Sequence, residues 1–236
     1  MLVDGFPAGP PATNCYVVAP AAGAECLVID PGIDAQAPLE EVLSEHRLTP
    51  VAVLLTHGHF DHTFSVYPVC GAKDVPAYVH PADRHQLADP WSGVGMPKGI
   101  PLFGQLAFRE PDDVRELADG ETIALAGLEL RVDLAPGHTP GSVTFATPGA
   151  VRVNARVEAL VLFSGDLIFA GSIGRTDFPG GSYPEIIRSL ARVVLPLPDD
   201  TIVLSGHGPA TTVGQERRVN PFLAEATPVS GPRTGL

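Results

Sequence analysis

Four apolar runs in this chain lead directly into a glycine-containing turn that carries a histidine or an aspartate. VAVLL enters THGHFDHT (56–63), LELRVDLA enters PGHTPGS (136–142), ALVLFS enters GD (165–166) and TIVLS enters GHG (206–208). Short apolar runs rich in Val, Ile and Leu, bounded by glycine, read as strands, and an open α/β sheet places its sites where strands end. Such a chain has to bring strand ends that are distant in sequence to one place. Burying so many imidazoles and carboxylates separately is costly, whereas gathering them around a cation removes most of that cost.

The donors so collected are His57, His59, Asp61, His62, His138, Asp166 and His207. Seven exceed what one tetrahedral ion accepts, and suit two ions about 3.5–4 Å apart that share a carboxylate. Neutral imidazole and carboxylate together favour zinc, with iron or manganese as alternatives. Gly58, between the first two histidines, is expected to relieve backbone strain where both rings point the same way. Asp30, in the turn IDPG at another strand end, is expected to hold a ligating ring by hydrogen bonding. His46, His80 and His85 are read as ordinary core or surface histidines, and Cys70 as a core residue.

Strands are expected at 15–19, 26–30, 51–56, 76–79, 128–135, 142–147, 159–164 and 201–205. The helical patterns are PLEEVLSEHRL, 62–70, 82–88, 184–194 and 214–219. A single domain over 1–220 follows, with the Gly- and Pro-rich stretch 89–120 as a surface excursion and 221–236 as a C-terminal tail. The net charge of -12 argues against a nucleic-acid partner, since phosphate binding needs clustered Lys and Arg. Three cysteines without CxxC spacing give neither a disulfide framework nor a thiolate metal site. No apolar stretch approaches the roughly 18 residues of a membrane helix, and MLVDGFPAGPPATN has no secretory pattern, so the expected location is the cytoplasm.

HxHxDH with the later PGHTPGS, SGD and GHG segments resembles the metallo-β-lactamase superfamily, over about Asn14 to His207. The resemblance implies an α/β fold, a four-layer αββα sandwich of two mixed sheets with a dinuclear site at one edge. It implies that His57, His59 and His138 hold the first ion, that Asp61, His62 and His207 hold the second, and that Asp166 bridges them. An aspartate at the bridging position resembles glyoxalase II-like hydrolases more than the β-lactamases proper. GRTDFPGGS (174–182) and GHGPATTVGQERRVNPFL (206–223) resemble the short bacterial hydroxyacylglutathione hydrolases, and GRTDF is also similar to the persulfide dioxygenases.

The activity implied is hydrolysis of small S-2-hydroxyacyl thioesters of glutathione or a related thiol, as in methylglyoxal detoxification, by a metal-activated hydroxide, with Asp61 ligating a metal and orienting the hydroxide by accepting its hydrogen bond. The alternatives are a persulfide dioxygenase with one iron on His57, His138 and Asp166, or another hydrolase of the same fold. The helical extension that contacts glutathione in long glyoxalase II enzymes has no counterpart after His207. Arg175, Arg217 and Arg218 are therefore the candidate cations for the carboxylates of a peptide-like thiol.

Overall fold

Chain order and spatial order coincide in both sheets of the computed structural model, which describes residues 1–98, 108–150 and 158–226. The first sheet runs β1 (Leu2–Ala8), β2 (Thr13–Ala19), β3 (Glu25–Ile29), β4 (Thr49–Leu54), β5 (Ala77–Val79) and β6 (Val114–Glu116). The second runs β7 (Thr122–Leu125), β8 (Leu128–Leu134), β9 (Val143–Ala150), β10 (Glu158–Gly165), β11 (Ile202–Ser205) and β12 (Thr211–Thr212). Both are mixed: β1 to β3 are antiparallel and β3 to β6 parallel. In the second sheet only the β10 and β11 pair is parallel.

Side chains alternate across a strand, so a strand covered on both faces needs apolar residues at every position. That is why VAVLL shows no alternation. Val53 and Leu55 join one buried cluster, with Leu39 and Leu43 of helix Gln36–His46 and Val66 and Val69 of helix Val66–Lys73. Ala52 and Leu54 join a second cluster between the sheets, opposite Leu130, Val132, Phe145 and Phe163. A third lies beneath the far face of the second sheet, where Leu162 and Val203 meet Ile186, Leu190, Val194, Val213 and Leu223. Three clusters separate four layers, helix, sheet, sheet and helix, which is the αββα sandwich. Phe145 and Phe163 are fully buried at its centre, and truncating either to alanine is expected to cost about 3–5 kcal/mol.

Hydrogen bonds also stitch the sheets together at the end where the ligand-bearing turns lie. The Val143 N–H donates to the Thr56 carbonyl at 2.7 Å, and the Asn14 N–H to the Gly206 carbonyl at 2.7 Å. Asn14 Nδ2 and the Tyr16 hydroxyl both donate to the Ser205 carbonyl, at 2.9 and 2.8 Å. The turn after β11 is thereby fastened to β2 of the other sheet.

Within 89–120 the structure has a short helix, Pro90–Val94, and the edge strand β6. Residues 99–107 lie outside the described ones. The expected C-terminal tail, 221–236, begins with a helix, Pro221–Glu225, capped by Asn220 Oδ1 and anchored by buried Leu223. Residues 227–236 lie outside the described ones.

Candidate metal centre

Four strand ends deliver the donors. The chain leaves β4 through Leu55 and Thr56, turns at His57 and Gly58, and starts the helical turn Phe60–Thr63 with His59 as its N-cap. That single turn presents Asp61 and His62, while His138 follows β8, Asp166 follows β10 and His207 follows β11. The structure brings all seven together in overlapping groups: His57, His59 and His138; His57, His62 and Asp166; Asp61, His62 and His207. Within each group the donor atoms lie within 4.8 Å of one another.

Each ring is held from behind and points its other nitrogen inward. His57 Nδ1 lies 3.1 Å from Thr56 Oγ1, which itself donates to Asp30 Oδ2 at 2.6 Å. His62 Nδ1 meets the same Asp30 oxygen at 2.9 Å. His59 Nε2 faces the Gly93 carbonyl at 3.2 Å, His138 Nδ1 faces the Arg175 carbonyl at 2.8 Å, and His207 Nδ1 faces the Pro11 carbonyl at 3.2 Å. Because the outer atom of each pair is an acceptor, these contacts assign the ring proton to the outer nitrogen and leave a lone pair on the inner one.

The inward atoms crowd together. His59 Nδ1 and His138 Nε2 stand 2.9 Å apart, and His62 Nε2 and His207 Nε2 stand 3.3 Å apart. Asp166 spans the two groups, with Oδ1 3.4 Å from His62 Nε2 and Oδ2 3.4 Å from His138 Nε2 and 3.7 Å from His207 Nε2. Asp61 Oδ2 accepts from the Thr13 hydroxyl at 3.1 Å and lies 3.2 Å from His207 Nε2.

Two buried atoms within this crowd, His57 Nε2 and Asp166 Oδ1, have no hydrogen-bond partner among the described residues. An unpaired acceptor in a dry interior costs about 1–3 kcal/mol, and a divalent cation removes that cost for both. The donor set and its orphans therefore suit a dinuclear metal site.

The electrostatics agree. Burial, with His62, His138 and His59 nearby, pushes His57 well below the usual imidazole range, and burial beside His138 lowers His59 to about 3. Burial acts against charge at His62 and His207 as well, but there the Asp61 and Asp166 carboxylates prevail and raise both. At Asp61 and Asp166 burial is outweighed in turn by the adjacent histidines, and both carboxyls are held low. The carboxylates thus create a field that attracts positive charge, beside two rings, His57 and His59, that burial keeps neutral.

Gly58 needs a different explanation from the one its position suggested, because its φ is not positive. A Cβ there would lie 2.8 Å from the Asp83 carbonyl and 2.9 Å from the Gln86 side chain. The glycine permits close approach, not an unusual backbone conformation. At Gly206 a Cβ would collide with Asp166 Oδ1 and stand 2.7 Å from His62 Cε1, so the glycine before His207 leaves the bridging carboxylate its room.

The candidate cations are distributed unevenly. Arg175 lines a cavity of about 450 Å³ that opens on His59, Asp61, His138, Asp166 and His207. Its guanidinium pairs with both oxygens of Asp177 at 2.7 Å and lies 3.7 Å from the centre of the Phe178 ring. Arg217 instead binds the Asp199 carboxylate and the Leu195 and Leu197 carbonyls at 2.6 Å, and Arg218 binds Gln215 Oε1 at 2.8 Å. Neither is among the residues lining the cavity.

Thr13, Thr56 and Asp83 were not anticipated. Asp83 lies between His80 and His85 in VHPADRH. His80 Nδ1 accepts the Ala82 N–H at 3.3 Å and so caps a helical turn.

Residues 8–207 match the family model of the metallo-beta-lactamase superfamily, and the chain belongs to that superfamily. It is a metallo-hydrolase of that group. An uncharacterised protein of Mycobacterium tuberculosis (strain H37Rv) is 47% identical over 94% of this chain and 98% of its own. The probable metallo-hydrolase YqgX of Bacillus subtilis is 37% identical over 92% and 95%. Hydroxyacylglutathione hydrolase GloC of Haemophilus influenzae is 33% identical over 83% and 86%. Among solved structures, the BLEG-1 B3 metallo-beta-lactamase superposes with a TM-score of 0.79 at 40% identity, covering 94% of this chain and 99% of that one. TTHA1623 in a di-iron-bound form gives 0.71 at 35% identity, covering 93% and 100%. No helix among the described residues is long and apolar enough to cross a membrane.

Proposed function

We propose that this chain hydrolyses small thioesters, most naturally S-2-hydroxyacyl derivatives of glutathione or a related thiol. The observation that carries the proposal is Asp166, whose carboxylate lies between the two groups, near His138 of the first through Oδ2 and near His62 and His207 of the second through Oδ1 and Oδ2. The similarity to GloC of Haemophilus influenzae supports the same substrate class.

In this reading His57, His59 and His138 would hold one divalent ion, zinc by preference, Asp61, His62 and His207 would hold a second, and Asp166 would be available to either. Such ions, when bound, would supply a water of pKa about 7 and polarise a carbonyl oxygen. Asp61, steadied by Thr13, accepts a hydrogen bond from the attacking water and aims it at the thioester carbon. The C–S bond then breaks, releasing a carboxylic acid and a thiol. The thiol has a pKa near 8.5 and leaves as thiolate, so the site needs no dedicated acid for it.

Phe60, Phe169, Ile173 and Phe178 give the cavity apolar walls for an acyl group and a thiol stem, and Arg175, which lines the same cavity, would have to share its guanidinium between Asp177 and the thiol's carboxylate. The test is release of free thiol from a panel of 2-hydroxyacyl thioesters by metal-loaded protein. No release across the panel would overturn the proposal.

Similarity to the B3 metallo-beta-lactamase BLEG-1 over nearly the whole chain favours a second reading, opening of a β-lactam ring by the same water. A chromogenic cephalosporin run beside the thioesters separates the two. Oxygen uptake with glutathione persulfide would point instead to a dioxygenase on His57, His138 and Asp166.

A further inference from the structure

The geometry points to Asp83 as the residue that positions the first donor group, His57, His59 and His138, independently of the second. This rests on the reading that the seven donors hold two ions. Asp83 is fully buried, in the helical turn Pro81–Arg84 that follows β5. Its Oδ2 accepts the Gly58 N–H at 2.9 Å and the Thr139 hydroxyl at 2.6 Å, and its Oδ1 accepts the Gly141 N–H at 2.8 Å. Gly58 is the residue between His57 and His59, and Thr139 is the residue after His138. One carboxylate thus joins the two turns, from different sheets, that supply the three histidines of the first group.

Two further features show that the chain is shaped around this carboxylate. A Cβ at Gly141 would lie 2.6 Å from Asp83 Cγ, and one at Gly58 would lie 2.8 Å from the Asp83 carbonyl. The glycines of HGH and TPGS are therefore places where Asp83 approaches the backbone. Thr139 Oγ1 also lies 2.7 Å from Ser142 Oγ, which accepts the Thr139 N–H at 3.1 Å, so the far turn is closed on itself.

Among the described residues the Asp83 carboxylate accepts from Gly58, Thr139 and Gly141, and none of these three adjoins Asp61, His62 or His207 in the chain. Those donors are served elsewhere: His62 by Asp30, Asp61 by Thr13, and His207 by the Pro11 carbonyl. Asp83 is a positioning residue for one group, and Asp30 serves the other together with His57.

The experiment uses the full chain and zinc alone. Elemental analysis gives the stoichiometry, and a competing chelator gives the stepwise affinities. Wild-type protein is expected to take up about two ions. Asp83→Asn puts an amide NH₂ against backbone N–H donors, and one of the two ions is expected to bind about 10–100-fold more weakly. The lost ion is assigned in two backgrounds. Adding Asp83→Asn to Asp61→Ala, which damages the second group, should weaken the remaining ion by the same factor of about 10–100. Adding it to His59→Ala, which damages the first, should leave the remaining ion's affinity unchanged.

A general structural role would weaken both ions alike, and that result overturns the inference, as does unchanged affinity in a folded Asp83→Asn protein. If Asp83→Asn does not fold, Thr139→Val decides: it removes only the link to the His138 turn and should weaken the same ion. Equal weakening of both ions, or of neither, overturns it. Wild-type protein that binds no zinc overturns the two-ion reading itself.

Discussion

The Asp30 carboxylate meets His62 Nδ1 at 2.9 Å through the same oxygen that accepts the Thr56 hydroxyl at 2.6 Å, while its other oxygen accepts the Thr56 N–H at 2.8 Å. Asp30 sits at φ +51, an uncommon conformation for a residue with a side chain, in the turn that follows β3. It orients His62 directly and His57 through Thr56, so it reaches both donor groups. Asp30→Ala is expected to weaken zinc binding about 10–100-fold and, by stranding three buried donors at about 1–3 kcal/mol each, to destabilise the fold by several kcal/mol. Chelator competition and urea unfolding measure the two effects; wild-type values in both would remove Asp30 from this role.

Gly206→Ala places a methyl against Asp166 and His62 without touching a donor atom chemically. Turnover is expected to fall by about 100-fold or more, with zinc stoichiometry reduced, because misplacement by about 1 Å is enough to cost that much. A variant with full activity and full zinc content would show that the bridging carboxylate has room to spare.

Zinc should stabilise the folded protein, because the donor groups exist only when both sheets are in place. One ion at 100 times its dissociation constant contributes about 2.7 kcal/mol, which for a chain of this size corresponds to roughly 5–10 °C in Tm. Thermal unfolding with EDTA and with excess zinc is the measurement. Coincident curves would contradict a resident metal.

Arg175→Ala should raise KM for a thioester whose thiol carries carboxylates and leave kcat nearly unchanged. A neutral-thiol thioester should lose little in either constant, since only uniform binding is removed. The Arg175 carbonyl, which holds His138, survives the substitution. An equal loss on both substrates would show that the side chain acts on the loop and not on the thiol.

The cysteines offer a check on the core. Burial pushes the Cys26 and Cys70 thiols up to about 12 and raises Cys15 well above its ordinary value. All three are free and buried. Native protein at pH 8 is expected to react slowly with a disulfide reagent, and three thiols should appear on unfolding. Rapid labelling of the native protein would place one of them at the surface.

What the sequence disclosed about the strands follows a physical rule. The eight anticipated strands are β2 to β5 and β8 to β11, all interior to their sheets. The four it did not disclose, β1, β6, β7 and β12, are the four edges. An interior strand covered on both faces, such as β4, runs apolar at successive positions, and one with a single covered face, such as β8, alternates in LELRVDL; both patterns announce a strand. An edge strand tolerates breaks such as Gly5 and Pro7 in β1 and charges such as Arg115 and Glu116 in β6, because one side needs no partner.

The site divides in a similar way. Its seven donors were legible because imidazole and carboxylate beside glycine at a strand end is a rare pattern, and Asp30 shared that setting. Asp83 was not, since a lone aspartate in a helical turn carries no such signal. Arg217 drew attention as a cation in a family-like segment, yet its charge is spent on Asp199 and on helix-end carbonyls, a commitment visible only in three dimensions.

Each donor group draws from both halves of the chain: His57 and His59 with His138, and Asp61 and His62 with His207. During synthesis, then, no metal-holding group can close when the first sheet emerges from the ribosome. The first group closes only after β8 has been made, and the second only after β11. Cut between the sheets, the two fragments should each be poor chelators, and recovery of tight zinc binding on mixing would report their reassembly.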